Sequence, residues 1–249
     1  MNSLVIRCLL VALIGGFLCA CEVKVNTSGE PVNKVGTTEN TTKETSSPKS
    51  ETSSAKESTS NAEDYYNRGV DKGRSGNKEG AIADFNEAIR LKPDYGAAYS
   101  SRATVKSLSG DNQGAITDFG EAIRIQPDNA IPYYNRGIVK SKSKDWDGAI
   151  ADFNEAIRLK PDSAGIYVGR GEAKYRSADY KGAITDFSEA IRIEPENAYA
   201  YNARGSSKLT SKDIEGAKMD FQKAAELYKQ QGNEEYYNYT IKEIEKLSQ

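Results

Sequence analysis

Gly80–Asp94 reads GAIADFNEAIRLKPD, and the phrase returns as GAITDFGEAIRIQPD at Gly114–Asp128, GAIADFNEAIRLKPD at Gly148–Asp162 and GAITDFSEAIRIEPE at Gly182–Glu196. A looser fifth copy, GAKMDFQKAAELYKQ, occupies Gly216–Gln230. Pro93, Pro127, Pro161 and Pro195 follow one another at intervals of 34 residues. A fixed period of that length marks stacked supersecondary units, each of which buries its apolar face only against a neighbour. Within a copy, Ala81, Phe85, Ala88 and Ile89 recur at spacings of four, three and one, which is one face of a helix. The proline that follows lacks a backbone N–H and ends that helix.

Counting each unit from Ala62, Gly96, Ala130, Ala164 and Ala198 brings further columns into line. Position 4 is Tyr in all five units (Tyr65, Tyr99, Tyr133, Tyr167, Tyr201), and position 8 is small (Gly69, Ala103, Gly137, Gly171, Gly205). Positions 20, 24 and 27 are Ala, Phe and Ala throughout. Small residues at 8 and 20 let two helices approach closely, with the position-24 Phe filling the space beside them. Gly76-Asn77, Gly110-Asp111, Lys144-Asp145, Ala178-Asp179 and Lys212-Asp213 read as turns whose Asn or Asp caps the next helix.

The period and these markers resemble the tetratricopeptide repeat, with Tyr at position 4 where that family has Trp. The resemblance covers residues 62–231. It implies an all-α fold, a right-handed superhelix of five helix-turn-helix repeats (62–95, 96–129, 130–163, 164–197, 198–231). Residues 232–249 place Tyr237, Ile241, Ile244 and Leu247 on one stripe, the pattern of a capping helix over the last repeat. Two columns depart from the family: position 7 is always Arg (Arg68, Arg102, Arg136, Arg170, Arg204) and position 23 always Asp (Asp84, Asp118, Asp152, Asp186, Asp220). Their recurrence in step predicts Arg–Asp pairs joining the two helices of a unit or adjacent units. Position 11 is Lys throughout, and its expected state is a packed stem with a solvated amine.

The amino terminus has another character. Residues 1–20 carry Arg7 followed by an apolar run from Cys8 to Ala20, shorter than the roughly 20 residues a spanning helix needs and suited to a signal peptide. Its end, Leu18-Cys19-Ala20-Cys21, resembles the lipobox of bacterial lipoproteins, with Cys19 as a departure from the usual small or Val residue. That resemblance implies cleavage before Cys21 and lipidation of Cys21, with anchoring to a bacterial cell-envelope membrane. An ordinary cleaved signal and an uncleaved short anchor are the alternatives. Residues 21–61, rich in Ser, Thr, Asn, Lys and Glu, are expected to form a disordered linker, because so few apolar side chains cannot offset chain entropy.

Composition narrows the function. The chain of 249 residues has no His, its three Cys lie in the first 21 residues, and its formal net charge is -2. Without His, Ser-His-Asp, Cys-His and His-zinc chemistry are all removed. The evenly mixed charge offers no basic stripe for phosphates, so no nucleic-acid partner is expected. No GxxxxGK[ST], GxGxxG or GxSxG occurs. Asp145-Trp146-Asp147-Gly148 fails as a calcium loop, since Ile150 and Ala156 replace the required Gly and Glu. Neither a cofactor, a metal nor a catalytic residue is expected.

In the family the first helix of each unit lines the concave groove with positions 2, 5, 6, 9, 12 and 13. Here these positions vary while the scaffold columns stay constant. The candidate partner-binding residues are Tyr66, Asn67, Ile131, Tyr134, Asn135, Lys142, Tyr175, Arg176, Tyr199 and Asn202, Tyr and Arg being frequent interface anchors. Any one tyrosine is also compatible with simple packing. The Lys/Asn pattern of the carboxylate clamp is missing, with Tyr66, Val70, Ser101, Ile131 and Asn135 at its positions. The expectation is a non-catalytic adaptor that binds a protein or peptide and meets the membrane only through its lipid. An envelope enzyme or accessory domain acting on glycan or peptide, and a pilotin-like or outer-membrane assembly factor, are the alternatives; the oligomeric state is open.

Overall fold

The computed structural model describes residues 51–247, with side chains from residue 61 onward. The expected signal peptide, the expected lipidation site Cys21 and the first part of the expected linker lie outside the described residues. Eleven helices and no strand are found among the described residues: α1 (Glu51–Arg74), α2 (Lys78–Leu91), α3 (Gly96–Leu108), α4 (Asn112–Ile125), α5 (Ala130–Lys142), α6 (Trp146–Leu159), α7 (Ala164–Arg176), α8 (Tyr180–Ile193), α9 (Ala198–Thr210), α10 (Ile214–Gln230) and α11 (Glu234–Lys246). Helix α1 starts upstream of residue 62, inside the stretch assigned to the linker. From Glu51 to Arg68 the sequence has neither Gly nor Pro, so nothing covalent stops the helix from extending backwards.

Each pair α1–α2, α3–α4, α5–α6, α7–α8 and α9–α10 forms one antiparallel unit, and each unit packs on the next. Odd-numbered helices of neighbouring units also touch (α1 with α3, α3 with α5, α5 with α7, α7 with α9), with no comparable contact between even-numbered neighbours. The stack therefore curls superhelically with the odd helices on its inner face. Helix α11 lies against α10, and Tyr236 and Tyr237 pack on the cluster of Ala198, Ala224, Leu227 and Tyr228.

Turn chemistry fixes the pairs. Asn77, Asp111, Asp145, Asp179 and Asp213 each accept a hydrogen bond from the backbone N–H three residues on, capping the second helix of every unit as the sequence predicts. The residue before each cap has positive φ: Gly76 and Gly110 in two units, Lys144, Ala178 and Lys212 in the others. In the third unit Lys144 N–H bonds to Ser141 C=O and Asp145 N–H to Lys140 C=O, the paired bonds that close a helix on a left-handed residue. Asp145 thus closes one helix with its backbone and opens the next with its side chain.

Between the two helices, Phe85, Phe119, Phe153, Phe187 and Phe221 are at most 1% exposed. Their rings lie against position 8. A Cβ at Gly137 would come within 2.9 Å of the Phe153 ring, so glycine is required there at this helix separation. Ala103 fills the same position in the second unit while staying fully buried, so that pair accommodates one more carbon.

Candidate functional site

The constant charged columns are built into the scaffold. In every unit the position-7 Arg grips the position-23 Asp with two bonds; in the third, Arg136 Nε donates to Asp152 Oδ2 at 2.9 Å and Nη2 to Oδ1 at 2.7 Å. The pair lies within one unit and ties its first helix to its second. The position-11 lysine, one turn after the arginine on the same face, brings its amine to the same carboxylate: Lys140 Nζ is 2.9 Å from Asp152 Oδ2. The expectation of a solvated position-11 amine is thereby corrected, because the close helix pair leaves each aspartate within reach of both cations. All five aspartates are buried with two partners each. For Asp84, the Arg68 hydrogen bonds hold the carboxyl below its ordinary range.

Two further contacts lock the arginines. Each guanidinium lies over the position-4 tyrosine of its own unit, 4.6 Å from the ring centre at Arg68–Tyr65 and 5.9 Å at Arg136–Tyr133. In three units the remaining nitrogen reaches back to position 25 of the preceding unit: Arg102 to Asn86 at 2.6 Å, Arg170 to Asn154 at 2.7 Å, and Arg204 to Ser188 at 3.1 Å. The second unit has Gly120 at that position, and Arg136 makes no such bond. These columns carry the scaffold, and the positions that vary between units lie on the odd helices.

The candidate groove residues fall into separate groups along that face. At the first end Asn67 is exposed, while Tyr66 packs on Phe85 and Tyr95 at ring separations of 5.9 and 5.1 Å. Burial pushes the Tyr95 hydroxyl up to about 12. In α5, Ile131 is 44% exposed, Asn135 is buried, and Lys142 is half-buried. Desolvation lowers the Lys142 pKa, and no ion pair to it is found among the described residues. Tyr175 meets Tyr180 edge-on at 5.4 Å, with its hydroxyl 3.4 Å from that of Thr210. Asn202 donates to the Thr240 hydroxyl at 3.1 Å and so ties α9 to the capping helix.

Tyr134, Arg176 and Tyr199 gather around a residue absent from the candidate set, Glu172. Tyr199, from the following unit, donates its hydroxyl proton to the Glu172 carboxylate. Burial raises the Glu172 carboxyl above its ordinary value, and the Tyr199 hydrogen bond and the Arg176 charge pull it back in part. Burial, and secondarily the Glu172 charge, pushes the Tyr134 hydroxyl up to about 12. The sequence did carry a signal: at position 9 the five units have Val70, Thr104, Ile138, Glu172 and Ser206, a single carboxylate among apolar and hydroxyl side chains. Among the described residues no group of His, Cys, Asp or Glu is placed to hold a metal ion, and no helix is long and apolar enough to cross a membrane.

Models of the tetratricopeptide repeat match residues 62–95, 108–144, 139–177 and 168–232, together more than half of the chain. No curated protein matches it. Among solved structures, the chain is similar to MamA from Desulfovibrio magneticus RS-1, at 23% identity and a TM-score of 0.65 over 69% of this chain and 97% of that one. It is similar to YrrB, described as a repeat protein with an unusual peptide-binding site, at 20% identity and 0.63 over 77% and 97%. It also resembles PilF of Pseudomonas aeruginosa, at 15% identity and 0.61 over 78% and 93%. At these identities the likeness is one of fold.

Proposed function

This chain belongs to the tetratricopeptide repeat family, and from that premise we propose that it is a non-catalytic adaptor, held at a bacterial envelope membrane by lipid on Cys21, that binds a protein or peptide in its groove. One observation carries the binding reading. Every column that repeats without variation is engaged in the scaffold: Arg, Lys and Asp in the ion-paired ladder, Phe and Ala in the core. The positions that vary line the inner face, with Tyr, Asn, Lys and Arg among them. A constant frame behind a varied surface is the arrangement expected of a binding module.

The anchor reading rests on Leu18-Cys19-Ala20-Cys21 and on the polar stretch that follows. Several acyl chains on one cysteine hold a protein durably, and the roughly 30 residues between Cys21 and α1, as a flexible coil, would give a mean reach on the order of 30 Å from the bilayer. The array would then sample partners close to the membrane without touching it.

Two measurements test the reading. Cys21→Ala should abolish incorporation of labelled fatty acid and release the protein from the membrane fraction; unchanged labelling and retention refute the anchor. Partner capture by chemical crosslinking in the native envelope, repeated with Tyr134→Ala and Tyr175→Ala, should lose partners only in the variants. Identical captures would move the binding surface elsewhere.

A further inference from the structure

We propose that the groove segment built by α5, α7 and α9 is a pocket for a basic side chain, an Arg or Lys of the bound peptide, with Glu172 as the anion that receives it. The inference rests on the groove being the binding surface and adds the chemistry of what enters it.

Glu172 is half-buried, and no cation lies within ion-pair distance of it among the described residues. The buried aspartates of the repeats, one per unit, each hold both an arginine and a lysine. Glu172 has instead a neutral donor, the Tyr199 hydroxyl. A carboxylate accepts about four hydrogen bonds, so capacity remains for a guanidinium or an ammonium. Arg176, one turn along α7, acts on Glu172 through space without forming the ion pair that this spacing permits.

The surroundings suit a cation on an aliphatic stem. Tyr134 and Tyr199 come from the units on either side; the Tyr199 hydroxyl bonds to the carboxylate and the Tyr134 hydroxyl feels its charge, so two aromatic residues flank the place a guanidinium or ammonium would enter. Two turns before Glu172 on the same face of α7 stands Gly165, exposed to solvent. A Cβ built there would meet only the Tyr134 hydroxyl, at 3.8 Å, so the approach beside Tyr134 is open. An apolar or acidic ligand side chain in this place would leave the carboxylate without compensation or repel it.

Backbone amide shifts of the full chain, titrated with acetyl-arginine-amide, acetyl-lysine-amide, acetyl-norleucine-amide and alanine-amide, test the assignment. The two acetylated basic probes should shift Gly165, Gly169 and Glu172, with norleucine and the free-amine probe at least about tenfold weaker. Glu172→Gln should weaken the basic probes by about the same factor. Gly165→Leu, which keeps the carboxylate and fills the approach, should block them as well. Equal shifts from norleucine and arginine would overturn the basic-pocket assignment while leaving groove binding intact. A response to alanine-amide alone would assign the site to a peptide amino terminus instead. No shift at α7 from any probe, alongside continued loss of partner capture in Tyr134→Ala, would refute the pocket and spare the adaptor reading.

Discussion

At the residue scale, repeated charge does structural work here, and isolated charge marks the groove. Asp152 holds Arg136 and Lys140 together at the middle of the array. Removing one partner of a buried ionic cluster leaves uncompensated charge, and Asp152→Ala should cost about 3 kcal/mol in urea unfolding. A loss below about 0.5 kcal/mol would show that the ladder behaves like a surface ion pair. Glu172 predicts the opposite sign. Its carboxyl titrates above the ordinary 4.5 when folded, so between that value and the folded pKa the folded chain holds a proton that the unfolded chain has released. Stability then falls as pH rises through this window. Glu172→Gln should raise the melting temperature at pH 7, with the gain shrinking towards zero near pH 4. An equal melting temperature at pH 7 would mean that the carboxylate is adequately solvated. The Arg–Asp pairing was legible from two invariant columns in step. The role of the position-11 lysine was not, because it depends on how closely two helices approach. Glu172 was visible as an odd member of its column, but its hydrogen bond depends on the curvature that brings Tyr199 from the next unit.

At the element scale, each helix pair is closed by the same turn, and neighbouring pairs are clipped by the same arginine. The turns were readable because Asn or Asp occupies a fixed offset with a left-handed residue before it, a purely local arrangement. The start of α1 was not readable: residues 51–60 combine moderate helix formers with the Ser and Thr of the linker, and no local signal separates the two. The clip between units has one gap, where Gly120 meets Arg136 without a bond. A Cβ there would be 3.7 Å from the guanidinium, an ordinary contact. Gly120→Asn should restore the clip seen at Asn86 and Asn154 and remove a mid-helix glycine. The expected gain is about 1 kcal/mol, or roughly 3 °C in melting temperature. No gain would mean that the amide carbonyl does not reach Arg136 and that the second and third units are joined by apolar packing alone.

At the scale of the whole molecule, a stack in which each unit touches only its neighbours needs a cover at its last face. Helix α11 supplies it, and the Asn202–Thr240 hydrogen bond ties it to the inner helix as well. A chain ending at Asn233 should expose Tyr228 and Leu227, unfold its fifth unit ahead of the others, and aggregate at concentrations where the full chain stays monodisperse. Unchanged unfolding with the last helix removed would show that α10 closes the array without help. The central claim is that the varied inner face holds a protein partner. The most direct measurement places a photo-crosslinking amino acid in the cell at Asn67 and Ile131, exposed on the inner helices, and at Thr117 and Thr185, exposed on even-numbered helices. The account predicts a discrete adduct from the first two positions and none from the second two. An adduct from Thr117 and Thr185 alone would place the partner on the outer face and contradict it.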